Sequence, residues 1–234
     1  MPGPSPVPRP VQRSTLRQQI ADALRDEALA GRLPAGQPFT VKEIAEQYGV
    51  SATPVREALL DLASQGLLDA EQHRGFQVHE FTLDDYRCMI EARTLIIEGI
   101  FRSCAERALR TASPAALASV RRRAEEAERA ARAGDLDILI GYDLRFWREL
   151  GGLIANAYVS DFLDRVRMQS WVFTVPYLRR LPDLGDRLWR GHCELVEAVT
   201  QQDAAAAQRI VAVYNEQALT LIEGIQRAER PDPA

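Results

Sequence analysis

The chain has 234 residues, enough for two modest domains or one large one, since domains run about 100 to 200 residues. Hydrophobic residues at 46% and charged residues at 26% give the balance of a folded chain and exclude disordered, collagen-like and secreted mini-protein classes. The net charge of -4 excludes nothing about nucleic acid, because DNA responds to a local basic patch and not to the chain average. No run approaches the roughly 18 unbroken apolar residues of a membrane span, and the start MPGPSPVPRP lacks the apolar core of a secretory signal. A cytoplasmic protein with no membrane partner is expected. Among the 29 basic residues only Lys42 is lysine, which codon bias in a GC-rich genome explains most simply, so arginine richness is not counted toward DNA. Cys88, Cys104 and Cys193 contain no C-x-x-C pair and read as small buried hydrophobes, not as a disulfide framework or a zinc site.

Residues 1–13 carry five prolines and read as a flexible, extended tail. From Ser14, a candidate cap, the residues Leu16, Ile20, Ala23, Leu24 and Ala28 recur at helical spacing up to Gly31. The segment LPAGQPF is turn chemistry leading into a short strand over 37–40. A second helix is predicted over 41–48, closed by Gly49. A third follows in SATPVREALLDLASQG, with Val55, Ala58, Leu59 and Leu62 on its apolar face and Ala52 and Arg56 on the other. LLDAE and GFQVHEF, separated by Gln72-His73-Arg74-Gly75, read as a hairpin. Beyond Thr82 the pattern is helical throughout, with predicted helices at 83–110, 114–133, 136–154, 158–175, 183–200 and 204–226. Ser113-Pro114, Gly134-Asp135 and Asn156 punctuate them. The fold class is therefore mainly α. A winged helix-turn-helix over 14–80 precedes an all-helical antiparallel bundle over 81–226, with a tail over 227–234.

A helix-turn-helix with a wing needs a third helix that is apolar on one side and able to touch DNA on the other. Ser51 and Thr53 stand at the start of that helix, where hydroxyls and exposed amides suit phosphate oxygens. Arg56, one turn further in, has the planar fork that pairs with guanine O6 and N7. Lys42 suits a phosphate or base contact, and His73-Arg74-Gly75 makes a narrow wing tip. Taken singly, each is as well read as a solvated charge or a turn residue. Taken together at this spacing, they point to double-stranded DNA. The segment 1–80 is nevertheless acidic, with eight basic residues against ten acidic ones, so nonspecific affinity should be weak and dimer geometry should matter.

The strings IAEQYGVS (44–51), TPVREAL (53–59), QGLL (65–68) and RGFQV (74–78) together closely resemble the signature of the GntR family. The resemblance implies a DNA-binding transcriptional regulator, and covers about residues 14 to 80. Where that family usually has arginine between Ser51 and Thr53 this chain has Ala52, so one expected contact is missing.

EARTLIIE (91–98) resembles the first-helix signature of the FadR-like branch, whose helical effector domain is called FCD. In most members of that branch an aspartate, a histidine one turn later and two late histidines bind a divalent metal, which in turn holds a carboxylate effector. Asp143 matches the aspartate and His192 the first late histidine, whereas Trp147 and Tyr214 stand at the other two positions. Indole cannot ligate a metal, neutral phenol is a poor ligand, and two protein ligands rarely hold zinc against water. No metal cofactor is therefore expected, although Glu194 or Asn215 remain conceivable substitutes beside Asp143 and His192. The resemblance implies instead a metal-free effector pocket lined by Arg93, Asp143, Trp147, His192 and Tyr214, with Arg93 as a carboxylate or phosphate clamp. Two aromatic rings suggest a flat, aromatic or apolar acid. By base rate the same residues could simply be core. The run Arg121-Arg122-Arg123, followed by glutamates three and four residues on, reads as a solvated face with intrahelical pairs.

The resulting expectation is a ligand-responsive regulator, a repressor, acting as a homodimer on a palindromic operator. Two alternatives stand beside it. One is a ligand-independent DNA-binding protein with a filled helical domain. The other is a helical enzyme using Asp143 and His192 as acid and base, disfavoured because the chain has no Gly-rich phosphate loop, no H-E-x-x-H and no G-x-S-x-G.

Overall fold

The computed structural model describes residues 15–71, 74–103 and 113–229. The proline-rich 1–13 segment, the Ser14 cap, Gln72 and His73 of the wing tip, Cys104 and residues 230–234 lie outside the described residues. Two compact units emerge, one made of Met1–Ala28 and Leu33–His79, the other of Leu29–Arg32 and Glu80–Ala234.

In the first unit α1 (Leu16–Leu29) begins at Thr15, whose hydroxyl accepts from the Gln18 amide at 3.3 Å. The short strand expected over 37–40 is reduced to isolated bridges, Ala35 to Val78 and Phe39 to Phe76. Pro34 and Pro38 flank this stretch and supply no N–H, so a continuous ladder cannot form. Next, α2 (Val41–Tyr48) starts with a capping box: the Glu43 amide donates to Thr40 Oγ1 at 3.2 Å while Glu43 Oε2 accepts from the Thr40 amide at 2.7 Å. Gly49, at φ 64°, ends it in the left-handed region. In α3 (Ala52–Ser64) the predicted face of Val55, Ala58, Leu59 and Leu62 is buried, as are Ile20, Leu24 and Ile44 of the same unit. Strands β1 (Leu68–Glu71) and β2 (Gly75–Val78) pair antiparallel, with Leu68 opposite Val78 and Glu71 opposite Gly75.

The second unit is helical: α4 (Leu83–Ser103), α5 (Pro114–Ala133), α6 (Leu136–Ile154), α7 (Ala157–Leu178), α8 (Leu184–Arg187), α9 (His192–Thr200) and α10 (Ala204–Glu229). Ser113, Asp135 and Asn156 each accept from a first-turn amide, as their positions predict. Apolar faces of α4, α5, α6, α7, α9 and α10 meet in a core that includes Val120, Phe146, Leu150, Leu195 and Val211. Among the described residues no helix is long and apolar enough to cross a membrane.

Four expectations are corrected. The single helix over 183–200 is broken into α8 and α9, because Leu188 is extended (φ -79°, ψ 144°) and Trp189 folds against Gly191 so closely that a Cβ there would lie 2.7 Å from the indole. Helix α10 continues to Glu229, into the stretch expected to be tail. Arg121 and Arg123 reach across to other helices, to Glu197 and Glu149 at 3.1 Å each, instead of pairing within their own. Cys88 is exposed and Cys193 only partly buried, its thiol pushed up to about 11 by desolvation and the neighbouring Glu128 charge.

Gly75 closes the hairpin at φ 98°, and a Cβ on it would sit 2.3 Å from the Phe39 carbonyl oxygen. Gly75→Ala should therefore destabilise the first unit by about 2 kcal/mol or more, since backbone would have to move at a position that L side chains rarely adopt. Urea denaturation measures this, and an unchanged midpoint would show that the bridge between Phe39 and Phe76 is dispensable.

Candidate functional site

Two regions gather chemistry-bearing side chains. In the first unit α2 and α3 meet at a shallow groove lined by Lys42, Glu46, Ala52 and Arg56 among others. Lys42 is exposed, its Nζ 3.8 Å from Glu46 Oε1. Ser51 stands at the α3 N-cap without a side-chain capping bond, so its hydroxyl is not spent on the helix, and Thr53 and Arg56 are exposed on the face opposite the core. The structure thus brings Lys42 and Arg56 to one surface. Arg74 lies at the wing, exposed, 3.7 Å from Glu71. Gly75 is accounted for by its approach to Phe39, whatever else it touches.

The second region is a cavity of about 80 Å³ in the helical unit, walled by α4, α6, α7, α10 and the α8–α9 turn. Asp143, 2% exposed, is on its lining. Its Oδ1 accepts from Trp147 Nε1 at 2.9 Å and from His192 Nε2 at 3.0 Å, and its Oδ2 accepts from Trp171 Nε1 at 2.9 Å. Burial alone would raise this carboxyl, but the His192 bond and charge, the Arg167 charge and the Trp171 bond outweigh it and hold the group below its ordinary value. Asp143 is therefore ionised at neutral pH. His192 is 1% exposed, packed between Phe146 (centroids 5.0 Å apart) and Trp189 (4.4 Å), with Nδ1 lacking a partner among the described residues.

Arg93 is 2% exposed, gives Nη2 to Asn215 Oδ1 at 2.5 Å and lies 5.0 Å from the Tyr214 ring centroid. Asn215 in turn donates to Thr94 Oγ1 at 3.0 Å, which fixes its amide with the oxygen toward Arg93. Tyr214 stacks on Trp147 at 5.3 Å, and its hydroxyl is pushed up by burial and the Asp143 charge, so it stays a neutral phenol. Of the five residues singled out in the sequence, Arg93, Asp143, His192 and Tyr214 line this one cavity, whereas Trp147 does not: it stacks on Tyr214 and bonds to Asp143, and belongs to the apolar core with Ile97, Leu150 and Leu163.

A model of the bacterial regulatory proteins of the gntR family matches residues 16–78, and an FCD domain model matches 89–216. The chain belongs to the GntR regulators that carry an FCD domain. It is a transcriptional regulator of that type, and the family is one of regulators and not of enzymes. Over 88 residues it is 41% identical to a probable D-xylose utilization operon transcriptional repressor of Paenarthrobacter nicotinovorans, a match spanning 38% of each chain. It is 29% identical to the HTH-type transcriptional regulator McbR of Escherichia coli, over 89% of this chain and 93% of that one. A solved structure of E. coli McbR/YncC shares the fold with a TM-score of 0.69 at 24% identity, covering 93% of this chain and all of the other.

The metal that FCD resemblance implies does not fit the side chains of this FCD cavity. Both Asp143 oxygens already accept ring N–H groups, His192 turns Nε2 to the same carboxylate, and Trp147 presents an N–H in place of a lone pair. Of the conceivable substitutes, Glu194 is exposed and Asn215 is committed to Arg93. Among the described residues no group of three or more His, Cys, Asp or Glu is placed to hold a metal.

Sequence reasoning missed three residues here. Arg167 is 3% exposed and lies with its guanidinium carbon 3.7 Å from the Trp147 ring centroid. Trp171 supplies the third N–H, and Trp189 packs on His192 and Tyr214. A signal for Arg167 existed: it falls within the buried stripe of Leu163, Val166, Ser170 and Thr174 on α7, where a solvated arginine has no place.

Replacing Asp143 by asparagine keeps the volume but turns a donor amide toward donor N–H groups. Asp143→Asn should cost about 3 kcal/mol or more, the scale of breaking a buried charged hydrogen-bond network. Because the folded carboxyl titrates below its unfolded value, its contribution is present above the unfolded value and is lost as pH falls through the folded one. Stability of the wild type measured against pH should therefore decline on the acid side more steeply than that of Asp143→Asn. Parallel curves would mean that Asp143 is not ionised in the fold.

Proposed function

We propose that this chain is a ligand-responsive transcriptional repressor that binds a palindromic operator as a homodimer and is released by a small molecule in the FCD cavity. The observation that carries this reading is the cavity itself: a bundle interior that serves only as core has no reason to bury two arginines, an aspartate and a histidine around open space. The same observation weighs against the ligand-independent alternative, which requires that interior to be filled. Relatives named as transcriptional repressors support the sign of regulation.

On this reading α3 enters the major groove. Arg56 pairs with a base edge, Ser51 and Thr53 hold phosphate, Lys42 adds a second basic contact, and Arg74 with His73 and Gly75 runs the wing along the neighbouring groove. Within the FCD cavity the effector meets Arg93, Asp143, His192 and Tyr214 without a metal, with Trp147 supporting Asp143 and Tyr214. An aromatic or apolar acid suits rings that face a guanidinium. To act as a switch, that ligand must bind the DNA-competent and incompetent states with different affinities. The protein would work in the cytoplasm.

Arg56→Ala should lose about 1 to 3 kcal/mol of binding to an operator selected by the purified protein from random duplexes, as loss of a bidentate base contact does. Unchanged affinity removes Arg56 from the readout. The metal-free reading has its own test in the double variant Trp147→His with Tyr214→His, which should gain zinc affinity by isothermal titration calorimetry. A folded double variant with no zinc affinity would refute the mapping of those two positions onto metal ligands.

A further inference from the structure

The cavity holds more positive charge than its own carboxylate can balance. Arg93 and Arg167 both line it, both are almost fully buried, and among the described residues neither forms a salt bridge. Arg93 Nε and Arg167 Nη1 are buried nitrogen atoms with no hydrogen-bond partner there. Asp143 is the single carboxylate lining the cavity, and three ring N–H groups already occupy it. The two arginines also oppose one another: burial, then the charge of Arg93, pushes Arg167 down to about 10, so Arg167 stays charged at neutral pH. A buried cation without a counter-ion is costly, and these two stand beside one committed carboxylate, with the exposed Arg187 also on the lining. An anion held between Arg93 and Arg167 would offset that cost.

The wall around these nitrogens restricts the anion further. Trp189 and Tyr214 contribute aromatic rings, and Leu139, Leu178, Leu221 and Ile222 supply apolar surface. A hydrated inorganic ion would waste that surface. A cavity of about 80 Å³ suits a compact ligand and not a long acyl chain.

We propose that Arg93 and Arg167 form a two-guanidinium clamp for a carboxylate, and that the cavity takes a small aromatic carboxylate. This rests on the effector-pocket reading and adds to it the chemical class of ligand and a second, unforeseen clamp residue. Arg167 also carries a trade-off that a structural arginine would not. Its charge helps hold Asp143 ionised and its guanidinium rests on Trp147, yet Nη1 is buried without a partner, so its loss should weaken ligand binding far more than the ligand-free fold.

The test is thermal melting and calorimetry of the full chain in buffer with a chelator. The probes are benzoate, benzamide as its uncharged counterpart, and inorganic phosphate, on the wild type, Arg167→Met and Arg167→Lys. Benzoate is expected to raise the melting temperature saturably, with benzamide and phosphate far weaker. Arg167→Met is expected to weaken benzoate about tenfold or more, the scale of a lost hydrogen bond to a charged group, while its ligand-free melting temperature changes little. Arg167→Lys keeps the charge without the fork and should bind benzoate with intermediate affinity; it also carries the comparison if the methionine variant is insoluble. Benzoate bound equally by wild type and both variants overturns the clamp, and so does a ligand-free Arg167→Met that melts much lower. Phosphate outcompeting benzoate overturns the carboxylate class. Benzamide binding as well as benzoate, with release of operator DNA, overturns the clamp but leaves the effector pocket standing. If no probe shifts the melting temperature and cavity-filling Ala218→Leu stabilises the protein without altering operator affinity, both readings fall.

Discussion

One ionised carboxylate organises the helical unit. Asp143 lies at the middle of α6 and collects N–H groups from its own helix (Trp147), from α7 (Trp171) and from the start of α9 (His192). A carboxylate accepts hydrogen bonds and offers none, so three converging donors satisfy a buried charge that would otherwise be prohibitive. Each of these bonds fixes an aromatic ring, and the rings then fix one another. Trp147 stacks on Tyr214, Trp189 packs against both His192 and Tyr214, and Phe146 meets His192 edge-on. The cavity wall is therefore a consequence of the acceptor geometry at one residue.

That dependence explains the break between α8 and α9. A continuous helix over 183–200 would satisfy the backbone, yet the chain turns at Leu188 and places Trp189 on Gly191. The turn puts His192 in the first turn of α9, with its ring facing Asp143. Glu128 of α5 completes the arrangement by accepting the Cys193 amide at 2.7 Å, which caps a helix whose N-cap glycine has no side chain to do so.

Most of the frame was legible from spacing and punctuation. Helices α2, α5 and α6 begin and end where the capping residues and glycines put them, because those signals are local. The four buried residues of α3 follow from their i, i+3, i+4 spacing. What the spacing could not show is chemistry assembled from distant segments. Trp171 is 28 residues from Asp143, and nothing near it in sequence marks it as a donor to a carboxylate. Arg121 and Arg123 have glutamates within reach on their own helix but bond to residues 76 and 26 positions away, since interhelical partners are set by packing. The broken helix was missed for a related reason: its cause is a ring folding back on Gly191, not a proline or a capping motif.

The charge balance of the cavity also bears on how binding could reach the rest of the molecule. In a site built around a metal, the cation that attracts an acid is held by the ligands in every state. Here the attracting charges are Arg93 on α4 and Arg167 on α7, two like charges on separate helices, with Arg93 tethered to α10 through Asn215 and Arg167 resting on Trp147 of α6. With the cavity empty they repel; an anion between them reverses the sign of that interaction. On the proposed clamp, the bound and empty proteins thus favour different separations of α4 and α7, and a ligand that binds one separation better than the other meets the requirement for a switch. A neutral occupant of equal size would fill the same space and leave the repulsion in place, so ligand charge, more than ligand shape, would decide which molecules act as effectors.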